Sequence, residues 1–352
     1  MILYNGIVKP DLILHIEFSE GFIQGTRTLT HPLFFILIQI FSFFTLNKKL
    51  EIFAGFLLFS VAQFFKITES SKLLNLLSGK KLNVLSLICI IALQVAVPAR
   101  IFDSFDIMGK FSPNYFHNGT LSLTLPISIY LMRLSFEFLY FKNKISFRPF
   151  FYWGIILILI KPSFMFAFIP VLPVFTLYVY GLSRELLKVL QVTTFFSILI
   201  LAQSTILNVF PDAFYSGFKI VYNPFYMYGT WFNHFRIVLE GVLTGWLVLL
   251  LFPKKSLTYL PILFTLCLVL LGYLLSFTMY DVLKGTSYPD LTWQSTIYGY
   301  LFILIAIGFV LGREQKFYYL PILLPLLMLA YQGLHGLQYL RYCTYLKFYY
   351  FS

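Results

Sequence analysis

Charge is what this chain has least of. Asp, Glu, Lys and Arg make up 11% of its 352 residues, against ~25% in soluble domains, and apolar residues make up 59% against roughly 45–50%. That balance excludes a soluble globular enzyme, and a mean hydropathy of +0.82 points to a polytopic membrane protein. Cysteine is scarce too. Cys89, Cys267 and Cys343 are far apart and odd in number, which gives neither a metal-ligand spacing nor a disulfide framework, so they read as packing residues. No Asp-x-Asp, no Glu-rich metal motif and no clear internal repeat occurs. A metal is therefore not indicated, and the repeats common among transporters are missing. The net charge is +12, yet Lys and Arg come one to four at a time between apolar runs. A nucleic-acid binder would cluster them on one stripe; scattered as they are, they form an orientation signal. The 42 Phe and 25 Tyr are spread along the whole chain and read as lipid-facing and interfacial filler.

Apolar runs near the ~20 residues of a spanning helix occupy 50–66, 83–100, 119–141, 149–160, 163–181, 191–208, 236–252, 257–279, 295–311 and 317–333. The expected fold is all-α. About ten transmembrane helices fill 50–333, an outer-face loop with amphipathic and juxtamembrane helices fills 1–49, and 334–352 forms a C-terminal tail. Five alternate connections carry the basic residues: Lys66, Lys72, Lys80 and Lys81; Lys142, Lys144 and Arg148; Arg184 and Lys188; Lys254 and Lys255; Arg313 and Lys316. The positive-inside rule puts all five in the cytoplasm. The opposite connections, 101–118, the turn at 161–162, 209–235 and 280–294, then face outward. They hold every Asp downstream of the first run (Asp103, Asp106, Asp212, Asp281, Asp290), together with His117 and His234. Chemistry belongs on the outer face.

Parity also puts residues 1–49 outside, unless 33–47 crosses the bilayer. Fifteen helical residues reach only ~22 Å against a ~30 Å core. The expectation is an interfacial helix along the outer surface, with Lys48 and Lys49 at the headgroups.

Two polar concentrations stand out. The first holds Asp11, His15, Glu17, Glu20, Arg27 and His31. Asp11 and His15 are four apart and share a helix face, although a solvated amphipathic helix has the same spacing. The second is SPNYFHNGT, 112–120, with Asn114, His117 and Asn118. Its amides and imidazole offer both donors and acceptors, while Asn118-Gly119-Thr120 is also ordinary turn and helix-start chemistry. Lys161 sits between two apolar runs, where a cation is expensive unless paired or lining a cavity. Arg236 follows Trp-Phe-Asn-His-Phe and has His234 beside it, an arrangement suited to a lipid phosphate and equally to a snorkelling anchor. Arg133 and Glu137, four apart inside one run, read as a self-neutralising structural pair. His335, Gln338 and Arg341 share a helical face, either closing the site or anchoring the tail.

An Asp-x-x-x-His helix (Asp11 to His15), His-Pro-Leu-Phe at 31–34, the 112–120 element and Lys-Pro-Ser-Phe at 161–164, in that order and on one face, resemble the GT-C superfamily of polytopic glycosyltransferases. Gly119 departs from the pattern, which has Pro there. The resemblance implies a sugar donor on polyprenyl phosphate, a glycan, lipid or protein acceptor, contact with membrane lipid and no nucleic acid; no cofactor is expected, with a divalent metal left open though not indicated. The implied place is a bacterial inner membrane with the active face extracytoplasmic, and a further helix is expected ahead of the first loop. Asp11 is the expected catalytic base. His15, His31, Asn114, His117, Asn118, Lys161, His234 and Arg236 are the expected substrate ligands. A polytopic transporter or flippase, or a non-catalytic membrane assembly subunit, would share the topology without needing Asp11.

Overall fold

The computed structural model describes residues 2–4, 7–9, 11–26, 32–79, 83–99, 119–144, 146–209, 219–222, 231–283, 286–288, 293–312 and 319–351. In chain order, a hairpin of β1 (Ile2–Tyr4) and β2 (Ile7–Lys9) leads to α1 (Asp11–Ile23), α2 (Leu33–Phe41), α3 (Lys48–Ser78) and α4 (Val84–Val95). Next come α5 (Gly119–Leu139), α6 (Phe147–Ile160), a 3-10 turn (Pro162–Phe164), α7 (Met165–Tyr180), α8 (Arg184–Val209) and β3 (Lys219–Tyr222). The chain continues with α9 (Trp231–Gly241), α10 (Leu243–Leu251), α11 (Pro253–Leu257), α12 (Leu260–Thr278), β4 (Met279–Leu283), β5 (Thr286–Tyr288), α13 (Trp293–Leu311) and α14 (Tyr319–Phe351).

Among the described residues, five helical segments are long and apolar enough to cross a membrane: Lys48–Ser78, Pro162–Tyr180, Arg184–Ile206, Leu260–Thr278 and Trp293–Leu311. The other runs take different forms. Val84–Val95 and Phe147–Ile160 are shorter apolar helices. The run 236–252 is divided at Val242, whose φ of −128° and ψ of 35° end α9 and restart the chain as α10. The run 317–333 belongs to α14, which passes Pro325 and continues to Phe351. The run 50–66 also continues, so Lys66 and Lys72 lie within α3, with Lys66 buried. α2 has 9 residues, about 14 Å at 1.5 Å per residue, too short to cross. It ends in left-handed backbone at Phe43, Phe44 and Leu46 (φ 56°, 54° and 51°).

The chain divides into two compact units. The first holds residues 1–66, 115–224 and 278–294. Within it α5 to α8 run up and down, as their short connections require of packed neighbours. At one end the Tyr180 hydroxyl donates to the Phe138 carbonyl at 2.6 Å, with their rings stacked at 4.8 Å, and Phe147 meets Phe138 at 5.4 Å. Lys142 and Lys144 in the connection after α5, Arg148 in the first turn of α6, and Arg184 and Lys188 at the start of α8 lie toward this end. At the other end lie the start of α5 and the Lys161 turn, where Gln203 Nε2 of α8 donates to the Ile158 carbonyl at 3.3 Å. Hydroxyls inside α5 bond back along their own helix, Thr124 to the Thr120 carbonyl and Ser128 to that of Thr124, which spares a buried helix unsatisfied donors. Arg133 and Glu137 pair at 2.6 Å on α5.

The N-terminal helices attach at the Lys161 end. Phe34, Phe35 and Ile38 of α2 form a buried cluster with Leu58 of α3, and Phe18, Phe22 and Leu123 pack against it. Leu123 is one turn into α5, so α1 and α2 sit against the end of α5 that the 112–118 stretch leads into. A three-stranded sheet of order β3-β4-β5 joins two connections expected to face outward. Trp293, which follows that sheet, reaches Lys161.

The second unit holds residues 67–114, 225–277 and 295–352, and α13 is its hub. The Tyr300 hydroxyl bonds Ser70 of α3 at 2.8 Å and Gln94 of α4 at 2.9 Å. The Phe302 ring fills the space a side chain at Gly245 would need and meets Trp246 at 5.6 Å. Phe309 contacts Phe252 and Tyr259, and Ser295 bonds Ser276. The share of buried residues is 94% in the α13 span and 22% in that of α8; α13 is enclosed by protein while α8 presents an apolar surface of the kind lipid covers. In α3, Phe53, Phe56, Phe64 and Phe65 are exposed in the same way.

Candidate functional site

Lys161 occupies a position its sequence prepares. A residue before proline is pushed out of the helical region, and Lys161 is extended, with φ −169° and ψ 116°, between the last turn of α6 and Pro162. Its N–H still closes α6 on the Leu157 carbonyl at 2.8 Å. The side chain is 8% exposed and sets its ammonium over the Trp293 ring at 5.2 Å, a cation–π contact of about 0.5–2 kcal/mol. Gln294, the next residue, is fully buried, and neither of its amide atoms has a hydrogen-bond partner. The sequence reading passed over Gln294, an ordinary helix-start residue until its neighbour is seen to face a cation.

Asp11 opens α1, where the helix dipole favours a carboxylate. His15, one turn later, packs its ring at 5.4 Å from Phe34 and 5.6 Å from Phe35. The structure thus gives His15 a part in seating α1 on α2. A turn further along, the Ser19 hydroxyl donates to the Phe35 carbonyl at 2.9 Å and accepts from Gln39 Nε2 at 2.8 Å. Gln39 Nε2 also donates to Glu51 Oε1. Among the described residues, no three His, Cys, Asp or Glu are grouped to hold a metal. His31, Asn114, His117 and Asn118 lie outside the described residues. Helix α1, which carries Asp11 and His15, and the Lys161 turn each lie toward the end of the first unit where α5 begins.

His234 and Arg236 lie on α9 in the second unit. Glu240, fully buried, is four residues after Arg236 and shares its helix face. The sequence reading counted Glu240 as part of an apolar run and missed it. The Glu240 carbonyl accepts from Ala99 N at 3.0 Å, and Gln332 of α14 clamps Val97 from both sides. Val97 N donates to the Gln332 carbonyl at 3.2 Å, and Gln332 Nε2 donates to the Val97 carbonyl at 3.1 Å. Thr244 completes the clamp by donating to Gln332 Oε1 at 2.6 Å. Residues 96–99, the root of the 100–118 connection, are thereby fixed beside α9. On α14, the His335 ring lies 4.2 Å from that of Tyr331, tilted by 44°. Comparison with protein-family models, with curated proteins and with solved structures returns no match for this chain.

Proposed function

We propose that the chain is a membrane glycosyltransferase that takes a sugar from a polyprenyl-phosphate donor and passes it to a glycan, lipid or protein acceptor on the extracytoplasmic face of a bacterial inner membrane. The observation that carries this reading is the gathering of the Asp11 helix, the start of α5 and Lys161 at one end of the first unit, with the basic connections at the other. The reading takes ten crossings, with the shorter helices Val84–Val95 and Phe147–Ile160 among them. The acceptor oxygen attacks the anomeric carbon as the bond to the phosphate oxygen breaks, through an oxocarbenium-like transition state. Asp11 takes the acceptor proton, and polyprenyl phosphate leaves with the electron pair of the broken bond. Lys161 meets the charge growing on that phosphate. His31, Asn114, His117 and Asn118 hydrogen-bond the sugar, and Arg236 with His234 holds a lipid phosphate at headgroup level.

The test is transfer of a labelled hexose or pentose from its polyprenyl phosphate in membranes containing the chain. Asp11→Asn should lower transfer at least ~100-fold, the scale of a lost general base, with protein abundance unchanged. Unaltered transfer would remove Asp11 from the mechanism, and no transfer by the native chain from any such donor would end the reading. One observation favours a second reading: α9 and α10 are broken at Val242 two residues after buried Glu240. Discontinuous helices bearing ionisable groups are a device of transporters. In proteoliposomes a polyprenyl-linked saccharide would then be translocated by Asp11→Asn as by the native chain, but not by Glu240→Gln.

A further inference from the structure

We propose that Glu20, Glu51 and Gln39 bind a hard divalent cation, of the Mg2+, Mn2+ or Ca2+ type, where α1, α2 and α3 meet. Glu51 and Gln39 are fully buried. The amide nitrogen of Gln39 is committed to Ser19 Oγ and Glu51 Oε1, so the amide is held against the Glu51 carboxylate and its carbonyl oxygen is left over. That oxygen and Glu51 Oε2 are both buried without a hydrogen-bond donor. Glu20 of α1 is near enough to Glu51 for the two carboxylates to act on each other, so acceptor faces acceptor. Buried polar atoms are nearly always satisfied, and here every unsatisfied atom is an oxygen asking for positive charge.

A proton shared between the two carboxylates would answer one pair of oxygens and leave Gln39 Oε1 unmet. A hard cation answers all three, because it accepts carboxylate and amide oxygens together and fills its remaining positions with water. The donor set contains oxygen alone, which suits Mg2+, Mn2+ or Ca2+ rather than Zn2+ or Cu2+. Glu51 lies in the first turn of α3, where the helix dipole favours the ionised carboxylate. Lys48, exposed on the same helix, offsets part of that charge. Glu20 is only partly buried, which gives an ion a way in. The ion would tie α1, the Asp11 helix, to the first turn of α3. The proposal stands on these contacts and does not depend on glycosyl transfer.

The experiment is Mn2+ binding to the purified full chain in detergent, read by loss of the free-ion electron paramagnetic resonance signal, with Mg2+ and Ca2+ as competitors. One saturable site is expected, with a Kd of roughly 10⁻⁵ to 10⁻³ M, between sensor and weaker extracellular calcium sites. Glu20→Gln should weaken it at least tenfold, Glu51→Gln should remove it, and Glu185→Gln, at the other end of the first unit, should leave it unchanged. If Glu51→Gln fails to fold, the partly exposed Glu20 carries the test. Absence of saturable binding by the native chain, or equal binding by Glu20→Gln, would overturn the proposal. So would an Mn2+-silent chain that Glu51→Gln stabilises in EDTA, since the pair would then hold a proton. The readout is binding, so its failure is distinct from a failure of sugar transfer.

Discussion

Gly336→Ala tests the contact that fixes the end of α4. A Cβ at residue 336 would overlap the Val95 carbonyl oxygen, a backbone atom with no rotamer to escape into. One turn earlier, a Cβ at Gly333 would stand 3.2 Å from the Ala92 carbonyl oxygen, so α14 closes on α4 toward residue 336. Alanine there must push the two helices apart. Overpacking of this kind costs about 1–3 kcal/mol. The shift also strains the Gln332 clamp on Val97 four residues away, whose bonds contribute about 1 kcal/mol each. A loss of about 3 kcal/mol is expected, which multiplies the unfolded fraction roughly 100-fold. With Cys267 and Cys343 replaced by serine, Cys89, buried in α4, reports it directly: in a thermal ramp with a thiol-reactive dye, the Gly336→Ala chain should label several degrees below its Gly336 parent. Labelling of Gly336→Ala indistinguishable from that of its parent would refute the close approach of α14 to α4.

Gln332→Leu removes the side-chain bonds to Val97 and Thr244 and leaves buried groups unmet, so it should cost about 2–4 kcal/mol in the same melt; a loss under 1 kcal/mol would show that the clamp is not what orders 96–99. Sidedness is read with single cysteines at two exposed positions, Gln24→Cys and Asn143→Cys, in a chain otherwise free of cysteine. An impermeant maleimide applied to intact cells should label residue 24 and spare residue 143, and the reverse pattern would invert the proposed orientation.

The long runs were legible because length and hydropathy are local properties: 163–181, 257–279 and 295–311 each became a helix with nearly the expected bounds, while the helix over 191–208 begins seven residues earlier, at Arg184. Lys161 was legible for a similar reason, since its extended backbone follows from the proline beside it. The break at Val242 was not. Nothing in the continuous apolar run marks it, and the contact that accompanies it is with Gly299, far along the chain. The early end of α4 was hidden in the same way, because Gln332 captures Val97 across 235 residues. The stretch after 333, expected as a tail, lies within α14, where Gly336 meets Val95 of α4. Glu51 read as a lone acid among apolar residues. Its partners Glu20 and Gln39 come from two other helices, and no spacing in one helix announces a site assembled from three.

The position of α13 in the second unit bears on how the chain is made. Its identified neighbours there, from α3, α4, α10 and α12, all leave the ribosome before it. Each of these partners is available to α13 as it emerges, so a helix whose span is 94% buried can pair with protein from the start of its synthesis.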